Sequence, residues 1–139
     1  MKKISTRSEQ ETYNFGVILG RQCRGGEVFL LCGDLGAGKT KLLQGLAAGL
    51  GVKDKVNSPT FNILKIYRAK KPLKTFCHID AYRLRSAADL LNLGVEEFFS
   101  SSSNITAIEW AERVKDLWPP QAKVIKITVQ SETGRLITY

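Results

Sequence analysis

The segment that most constrains the fold is a glycine-rich turn between an apolar strand and an amphipathic helix. Residues 33–40, GDLGAGKT, match the pattern G-x-x-x-x-G-K-[ST]. Residues 28–32 before the turn are all apolar, which predicts a strand buried on both faces in a parallel sheet. Apolar residues recur at helical spacing from Leu42 to Leu50 after it. A strand, turn and helix in this order predict an α/β domain.

The same unit predicts a phosphate-binding site. The turn and the helix N-terminus direct backbone N–H groups and the positive end of the helix dipole at one point. Lys39 is expected to reach the β- and γ-phosphates of a nucleotide, and the Thr40 hydroxyl to coordinate Mg²⁺. A glycine-rich turn without a ligand is the alternative. We therefore expect ATP or GTP with Mg²⁺, bound by Gly33, Asp34, Leu35, Gly36, Ala37, Gly38, Lys39, Thr40 and Lys41.

Length and charge limit the other possibilities. A chain of 139 residues predicts one domain over residues 1–139, short for a nucleotide enzyme with its own substrate domain. The net charge of +8 suggests an acidic or nucleic-acid partner, although ordinary soluble proteins also reach this charge. Seven cations crowd residues 53–74, where a solvated hairpin tip is the alternative to a nucleic-acid contact. They are Lys53, Lys55, Lys65, Arg68, Lys70, Lys71 and Lys74.

Cysteine usage and hydropathy indicate the compartment. The three cysteines are odd in number and form no close C-x-x-C pair, so we expect reduced thiols. No apolar stretch approaches about 18 residues, and the N-terminus lacks the apolar region of a signal peptide. We expect a cytoplasmic protein with no membrane contact.

The rest of the chain predicts a mixed sheet with a parallel core and antiparallel hairpins, flanked by helices, in a single P-loop NTPase domain. The nucleotide is expected at the C-terminal ends of the parallel strands. A helix capped at Ser8 should run to about Arg24. The other predicted elements are a hairpin of 60–68 and 73–79, short helices at 86–91 and 95–99, a buried strand at 105–109, a helix at 111–117, and a hairpin of 123–129 and 135–139.

Two carboxylates are candidates for the acid that a P-loop site needs for magnesium or for the attacking water. Glu109 ends the predicted buried strand 105–109 and is the better candidate; a strand-end carboxylate facing solvent is the alternative. Asp80 ends the second strand of the first hairpin, where a lone Asp is as often a turn residue. His78 fits a hydrogen-bonded structural histidine better than a metal ligand.

Four short motifs follow in an order and spacing that resemble the bacterial TsaE family. They are LCGDLGAGKT at 31–40, SPTF at 58–61, HIDAYRL at 78–84 and IEWAER at 108–113, and the match extends to the terminal Gly134-Arg135. The resemblance implies a small P-loop ATPase. Such a protein works with TsaD-like and TsaB-like proteins to install threonylcarbamoyl on adenosine 37 of tRNAs that read codons beginning with A, without transferring the group itself.

The resemblance also implies roles for individual residues. Residues 58–61 fall in a switch-like loop near the γ-phosphate, and the roles of Tyr82 and Arg83 stay open. The implied assignments are Gly36, Gly38, Lys39 and Thr40 at the phosphates and magnesium, Thr60 at the metal shell, Asp80 in hydrolysis, Glu109 at magnesium and Trp110 beside the nucleotide.

Three other functional classes are alternatives to an ATPase of this family. A GTPase is disfavoured because the sequence lacks N-K-x-D and a D-x-x-G after the P-loop. A small-molecule kinase generally needs an arginine-rich lid, and the nearby arginine pair is Arg83 and Arg85. A nucleotide-sensing adaptor, which hydrolyses ATP only incidentally, stays open.

Overall fold

The computed structural model describes residues 1–58 and 62–139, which form a seven-stranded sheet with helices on both faces. The strand order is β1-β7-β6-β2-β5-β4-β3. The elements are β1 (Lys3–Thr6), α1 (Glu9–Gln22), β2 (Val28–Cys32), α2 (Lys39–Gly49), β3 (Leu64–Arg68), β4 (Thr75–Asp80), α3 (Ala87–Leu91), α4 (Glu96–Ser100), β5 (Asn104–Glu109), a 3₁₀ helix (Ala111–Leu117), β6 (Lys123–Val129) and β7 (Arg135–Thr138).

The parallel core consists of β6, β2, β5 and β4, in that order across the sheet. Strands β3, β7 and β1 extend it as antiparallel neighbours. The predicted α/β class with a mixed sheet is confirmed. The two predicted hairpins also contribute to the parallel core. The first hairpin supplies β4 and the second supplies β6. For β4 the physical reason is burial on both faces, since Phe76, Cys77, His78 and Ile79 have no exposed surface.

Alternation along β2 separates the two halves of the core. Phe29 and Leu31 pack against α1 and α2 in one cluster, whereas Val28 and Leu30 pack on the opposite face in a second cluster. Each fully buried leucine of this kind contributes about 1.5–3 kcal/mol to folding. The glycine-rich turn directly follows β2, so both clusters hold the first residue of the turn in place.

Glycines let α1 and α2 touch backbone to backbone. A Cβ at Gly16 would lie 2.1 Å from the carbonyl oxygen of Leu42, and one at Gly45 would lie 2.0 Å from the carbonyl oxygen of Tyr13. Gly20 and Gly49 continue the same contact four residues later in each helix. We call these four glycines the glycine seam. The seam fixes the axis of α2, whose first residue follows the glycine-rich turn.

Several boundaries differ from the predictions. Helix α1 is capped by Ser8, whose Oγ accepts a hydrogen bond from the Glu11 N–H at 3.1 Å, but it ends at Gln22 rather than near Arg24. Strand β4 covers Thr75–Asp80 instead of 73–79, since the backbone N–H of Leu73 bonds within the hairpin turn. Strand β3 begins at Leu64, and the start predicted at residue 60 lies outside the described residues.

Two elements were predicted incompletely. Residues 111–117 form a 3₁₀ helix interrupted at Val114, because its turns close between residues three apart, as from Arg113 to Trp110. Strand β1 was missed because its four residues carry little apolar character, and it forms by pairing with β7. Within the described ranges, no helix combines the length and the apolarity needed to cross a membrane.

Candidate functional site

The site lies where the parallel strands end, at the edge of the sheet where the glycine-rich turn begins. Glu109 closes β5 and is in register with Leu31 of β2 on one side and with Asp80 of β4 on the other. The two predicted acids therefore lie side by side on neighbouring strands. Glu109 is only 2% exposed, so it is not a carboxylate facing solvent.

The turn has a backbone that only glycine adopts without strain at three positions. Gly33, Gly36 and Gly38 have φ of 155°, 79° and 102°. Gly38 is the N-cap of α2 and supplies no side-chain acceptor to the first helical turn. The N–H groups of that turn are therefore free of a capping side chain and available to an anion.

Lys39 holds the turn from the inside. It is 5% exposed, and its Nζ donates to the carbonyl oxygens of Gly33 at 2.6 Å and Asp34 at 2.9 Å. Burial lowers the pKa of Lys39, an effect opposed by nearby carboxylates, above all Glu109. The result is a desolvated cation at the base of the turn, which suits a phosphate.

Thr40 and Glu109 meet across the site. The Thr40 Oγ1 donates to Glu109 Oε1 at 2.8 Å and lies 2.9 Å from Ser58 Oγ, which itself donates to Glu109 Oε2 at 3.3 Å. These oxygens come from the start of α2, the end of β5 and the segment before residue 59. Sequence reasoning placed Ser58 in a switch-like loop without giving it this contact.

His78 supports Glu109 from beneath. It has no exposed surface, and its Nε2 lies 2.7 Å from Glu109 Oε2. An ionised carboxylate only accepts, so the Nε2 carries the proton. Burial alone would raise the pKa of Glu109, but the His78 hydrogen bond and charge, with Thr40 and Lys39, bring it below its usual range. His78 is the hydrogen-bonded structural histidine that the sequence suggested, and its partner is the predicted magnesium carboxylate.

Asp80 has the opposite electrostatics. Its Oδ1 accepts a hydrogen bond from the Tyr82 N–H at 3.0 Å. Burial raises the pKa of Asp80, and the neighbouring Glu109 raises it further, although the Tyr82 hydrogen bond opposes the shift. A half-buried carboxylate with a raised pKa is suited to accept a proton from water.

Two aromatic side chains, those of Tyr82 and Trp110, border the site, and we call them the aromatic wall. Trp110 has a left-handed backbone, φ 56° and ψ 38°, which is unusual for a bulky residue and turns the chain sharply after β5. Its ring centroid lies 4.1 Å from Lys39 Nζ and 4.9 Å from that of Tyr82. The Arg113 guanidinium covers the Tyr82 ring at 5.1 Å. Cation–π contacts of this kind anchor the wall to the turn.

The site opens into a cleft of about 560 Å³. Leu35 is 80% exposed at its rim, and the Nζ of Lys41 lies 4.0 Å from Glu9. Gly33, Asp34 and Ala37 belong to the turn itself, and Thr60 lies outside the described residues. The cleft is lined by Glu9, Leu35, Gly36, Gly38, Lys39, Thr40, Lys41, Gln44, Ser58, Asp80, Tyr82, Glu109 and Trp110.

The donor set fits Mg²⁺ bound together with phosphate. Residues 1–58 and 62–139 contain no group of three or more His, Cys, Asp or Glu side chains able to hold a metal ion. Mg²⁺ in nucleotide sites takes one or two protein oxygens and fills its other positions with phosphate oxygens and water. Thr40 and Glu109 supply hard oxygens of this type.

The cysteines take no part in the site. All three are free thiols. Burial raises the pKa of Cys23 and Cys77 to about 12 and that of Cys32 to about 11. Because the thiolate is the reactive form, these thiols are inert at neutral pH.

Comparison with known proteins places the chain in one family. The model of the family "Threonylcarbamoyl adenosine biosynthesis protein TsaE" matches residues 6–137. The "tRNA threonylcarbamoyladenosine biosynthesis protein TsaE" of Treponema pallidum is 38% identical over 133 residues, 96% of each chain. The protein of that name from Bacillus subtilis is 33% identical over 141 residues, 100% of this chain and 86% of its own.

The fold agrees with the sequence comparison. The crystal structure of Bacillus subtilis YdiB superposes with a TM-score of 0.76 at 29% identity, covering 98% of this chain and 82% of that one. The alignments thus take in β1 through β7 and the whole cleft, not the glycine-rich turn alone. This chain belongs to the TsaE family.

Proposed function

We propose that the chain is a magnesium-dependent ATPase. The observation that carries the proposal is the 2.8 Å contact between Thr40 and Glu109, which joins the first turn after GDLGAGKT to the adjacent strand end. A hydroxyl and a carboxylate in this relation are the protein ligands of Mg²⁺ in P-loop sites. Lys39 and the free N–H groups of α2 supply the complementary charge for the phosphates.

The geometry also supports a division of labour in hydrolysis. Lys39, Gly36 and Gly38 would bind the phosphates, while Thr40 and Glu109 would hold magnesium, which would supply positive charge to the phosphate oxygens. Asp80 is in register with Glu109 on the neighbouring strand, and its raised pKa favours proton acceptance from the attacking water. Trp110 lies against Lys39, next to the phosphate-binding turn.

Family membership supports a proposal about the wider role. We propose that the ATPase supports turnover of a transferase formed by TsaD-like and TsaB-like proteins, which threonylcarbamoylates adenosine 37 of tRNAs reading codons that begin with A. The relatives carry the name of tRNA threonylcarbamoyladenosine biosynthesis. A cytoplasmic location is part of the proposal because tRNA is modified there.

A direct contact with tRNA has a candidate surface. All seven cations of residues 53–74 are exposed, and that stretch holds a single acid, Asp54. Part of it lines a groove of about 1010 Å³ between residues 51–54 and 68–70. We call the seven side chains the basic face. They account for most of the net charge of +8 and suit a phosphate backbone.

The first prediction tests nucleotide binding. The wild-type protein should bind ATP in the presence of Mg²⁺, and GTP should compete more weakly because no guanine-reading motif is present. Lys39→Ala should reduce ATP affinity at least a hundredfold, since the ammonium faces the phosphates in a desolvated site. Equilibrium titration with a fluorescent ATP analogue measures both effects.

The matched control is Lys126→Ala, which removes an exposed cation of β6 that does not line the cleft. It should keep the affinity within a few-fold. Unchanged ATP binding in a folded Lys39→Ala variant would contradict the site, and tighter binding of GTP than of ATP would contradict the adenine assignment.

A further inference from the structure

The arginine at the start of β7 contacts the glycine-rich turn from outside the cleft. Arg135 Nε donates to the carbonyl oxygen of Ala37 at 2.9 Å, and its Nη2 donates to that of Gly36 at 3.2 Å. These contacts join residues 98 and 99 positions apart in sequence, because the turn follows β2 and the arginine lies in the terminal hairpin. Arg135 does not line the cleft.

The other side of the guanidinium is tied to the terminal hairpin. Its Nη1 donates to the carbonyl oxygens of Gly134 at 2.9 Å and Ser131 at 3.0 Å. The backbone of Arg135 is in register with Thr6 of β1 and Val129 of β6, so two strands hold it in place. The planar guanidinium of Arg135 thus joins the terminal hairpin to the glycine-rich turn.

Two cationic side chains bind four carbonyl groups of the turn, two each. Lys39 takes those of Gly33 and Asp34 from inside, and Arg135 takes those of Gly36 and Ala37 from outside. In a trans peptide the N–H points opposite to the C=O. The N–H of Gly38 therefore points away from Arg135, and it has no acceptor among the described residues.

The charge of Arg135 is not cancelled by an acid. None of the ion pairs formed within residues 1–58 and 62–139 involves it. A guanidinium bound only to carbonyl oxygens keeps its full positive charge beside the turn. That charge adds to the field an anion would meet at the N-terminus of α2.

We propose that Arg135 is a positioning residue for phosphate binding: it holds the carbonyls of Gly36 and Ala37 outward and thereby presets the N–H of Gly38 toward the nucleotide phosphates. This inference rests on the proposed nucleotide site and adds to it a residue remote in sequence. The loop is preorganised, so an anion meets N–H groups already in place.

The test compares Arg135→Met with Arg135→Lys. The methionine variant removes the charge and both donors, and its Kd for MgATP should rise about tenfold. In the ATPase assay KM should rise while kcat changes little, because Arg135 does not contact the reacting atoms. The lysine variant keeps the charge but donates from one point, so its affinity should lie between those of Arg135→Met and the wild type.

The control is Lys126→Met, an exposed cation of β6 whose strand position is in register with Cys32 at the end of β2. It removes the same charge without touching the turn and should leave the affinity unchanged. Hydrogen exchange on the nucleotide-free proteins gives a second readout. The amides of residues 34–38 should exchange faster in Arg135→Met than in Lys126→Met.

The outcomes are separable. Arg135→Met with a wild-type Kd, or with a lower melting temperature as its only defect, would overturn the inference. If Arg135→Met does not fold, Arg135→Lys decides the question, and a wild-type Kd and exchange rate in that variant would overturn it. A wild-type protein that binds no nucleotide would refute the proposed function instead, while the exchange experiment would still test the turn.

Discussion

Glu109 and Asp80 occupy equivalent positions on neighbouring strands, yet their surroundings shift their pKa values in opposite directions. Glu109 is buried but accepts hydrogen bonds from His78 and Thr40, which hold its pKa low. Asp80 is half-buried with one backbone donor, and its pKa is raised. Two carboxylates that differ in this way are suited to different tasks, one as a fixed anion for magnesium and the other as a proton acceptor.

A second prediction separates the two acids by substitution. Asp80→Asn should bind MgATP normally and reduce hydrolysis by about a hundredfold or more, the usual loss when a general base is removed. Glu109→Gln should weaken ATP binding only when Mg²⁺ is present. Titrations with and without Mg²⁺, and phosphate release with the partner proteins, measure these effects.

The choice of substitution follows from the buried His78. Removing the Glu109 side chain entirely would leave the imidazole without its partner and cost about 3–5 kcal/mol of folding free energy. Gln keeps an acceptor for it, so the magnesium effect can be measured on a folded protein. If Asp80→Asn hydrolyses ATP at the wild-type rate in the reconstituted complex, Asp80 is a strand-end turn residue and not the base.

Sequence reasoning reached the residues of the site that follow from a local motif. Lys39 and Thr40 come from the glycine-rich pattern, and Glu109 comes from the end of a buried strand. Ser58 contacts Glu109 and Arg135 contacts the glycine-rich turn, but neither contact could be assigned from sequence because each partner lies far along the chain: Arg135 and Ala37 are 98 residues apart. The strand order, with β5 and β6 on either side of β2 and β7 next to β6, brings such residues together.

At the scale of elements, the glycine seam determines where the first turn of α2 lies. Without side chains at Gly16, Gly20, Gly45 and Gly49, the two helices approach until backbone meets backbone. The periodicity of apolar residues predicted both helices but not this contact, since a glycine contributes nothing to a hydrophobic pattern. The spacing of four in each helix was the available indication.

The third prediction concerns that seam. Gly45→Ala should lower the free energy of unfolding by about 2 kcal/mol, because a methyl group 2.0 Å from the Tyr13 carbonyl forces the helices apart. An overpacking cost of about 3 kcal/mol exceeds the gain of about 1 kcal/mol that alanine brings to a helix interior, which leaves the net loss of about 2 kcal/mol. Urea denaturation followed by circular dichroism measures the difference.

Ile18→Ala provides the comparison on the solvent side of α1, where the side chain is 51% exposed. Its effect should stay within about 0.5 kcal/mol. Gly45→Ala should also weaken ATP binding, because a displaced α2 carries Lys39 and Thr40 with it. A Gly45→Ala variant as stable as the wild type would show that the helices can separate without cost.

For the whole molecule, charge and sheet position define two distinct regions. The proposed nucleotide site lies at the C-terminal ends of β2, β5 and β4. Five of the seven cations of the basic face lie instead on the edge strand β3 or in residues 70–74, which form the hairpin turn and lead into the opposite end of β4. Lys70 and Lys71 are in that turn. The separation means that an interaction through the turn need not obstruct the cleft. Composition revealed the excess charge, and the strand order revealed its location.

The final prediction tests whether the basic face binds tRNA. The double variant Lys70→Glu/Lys71→Glu should weaken tRNA binding at least tenfold and lower the slope of log K against log salt by about one for each lysine that no longer meets a phosphate. Its affinity for MgATP should not change, since the turn is remote from the cleft.

The matched control is Lys2→Glu/Lys3→Glu, which makes the same charge change at the opposite edge of the sheet, on and beside β1. Filter binding across a salt series compares them. If both variants weaken binding equally, the interaction depends on net charge alone and the basic face is a solvated edge; if only the β3 side matters, the chain contacts tRNA there directly.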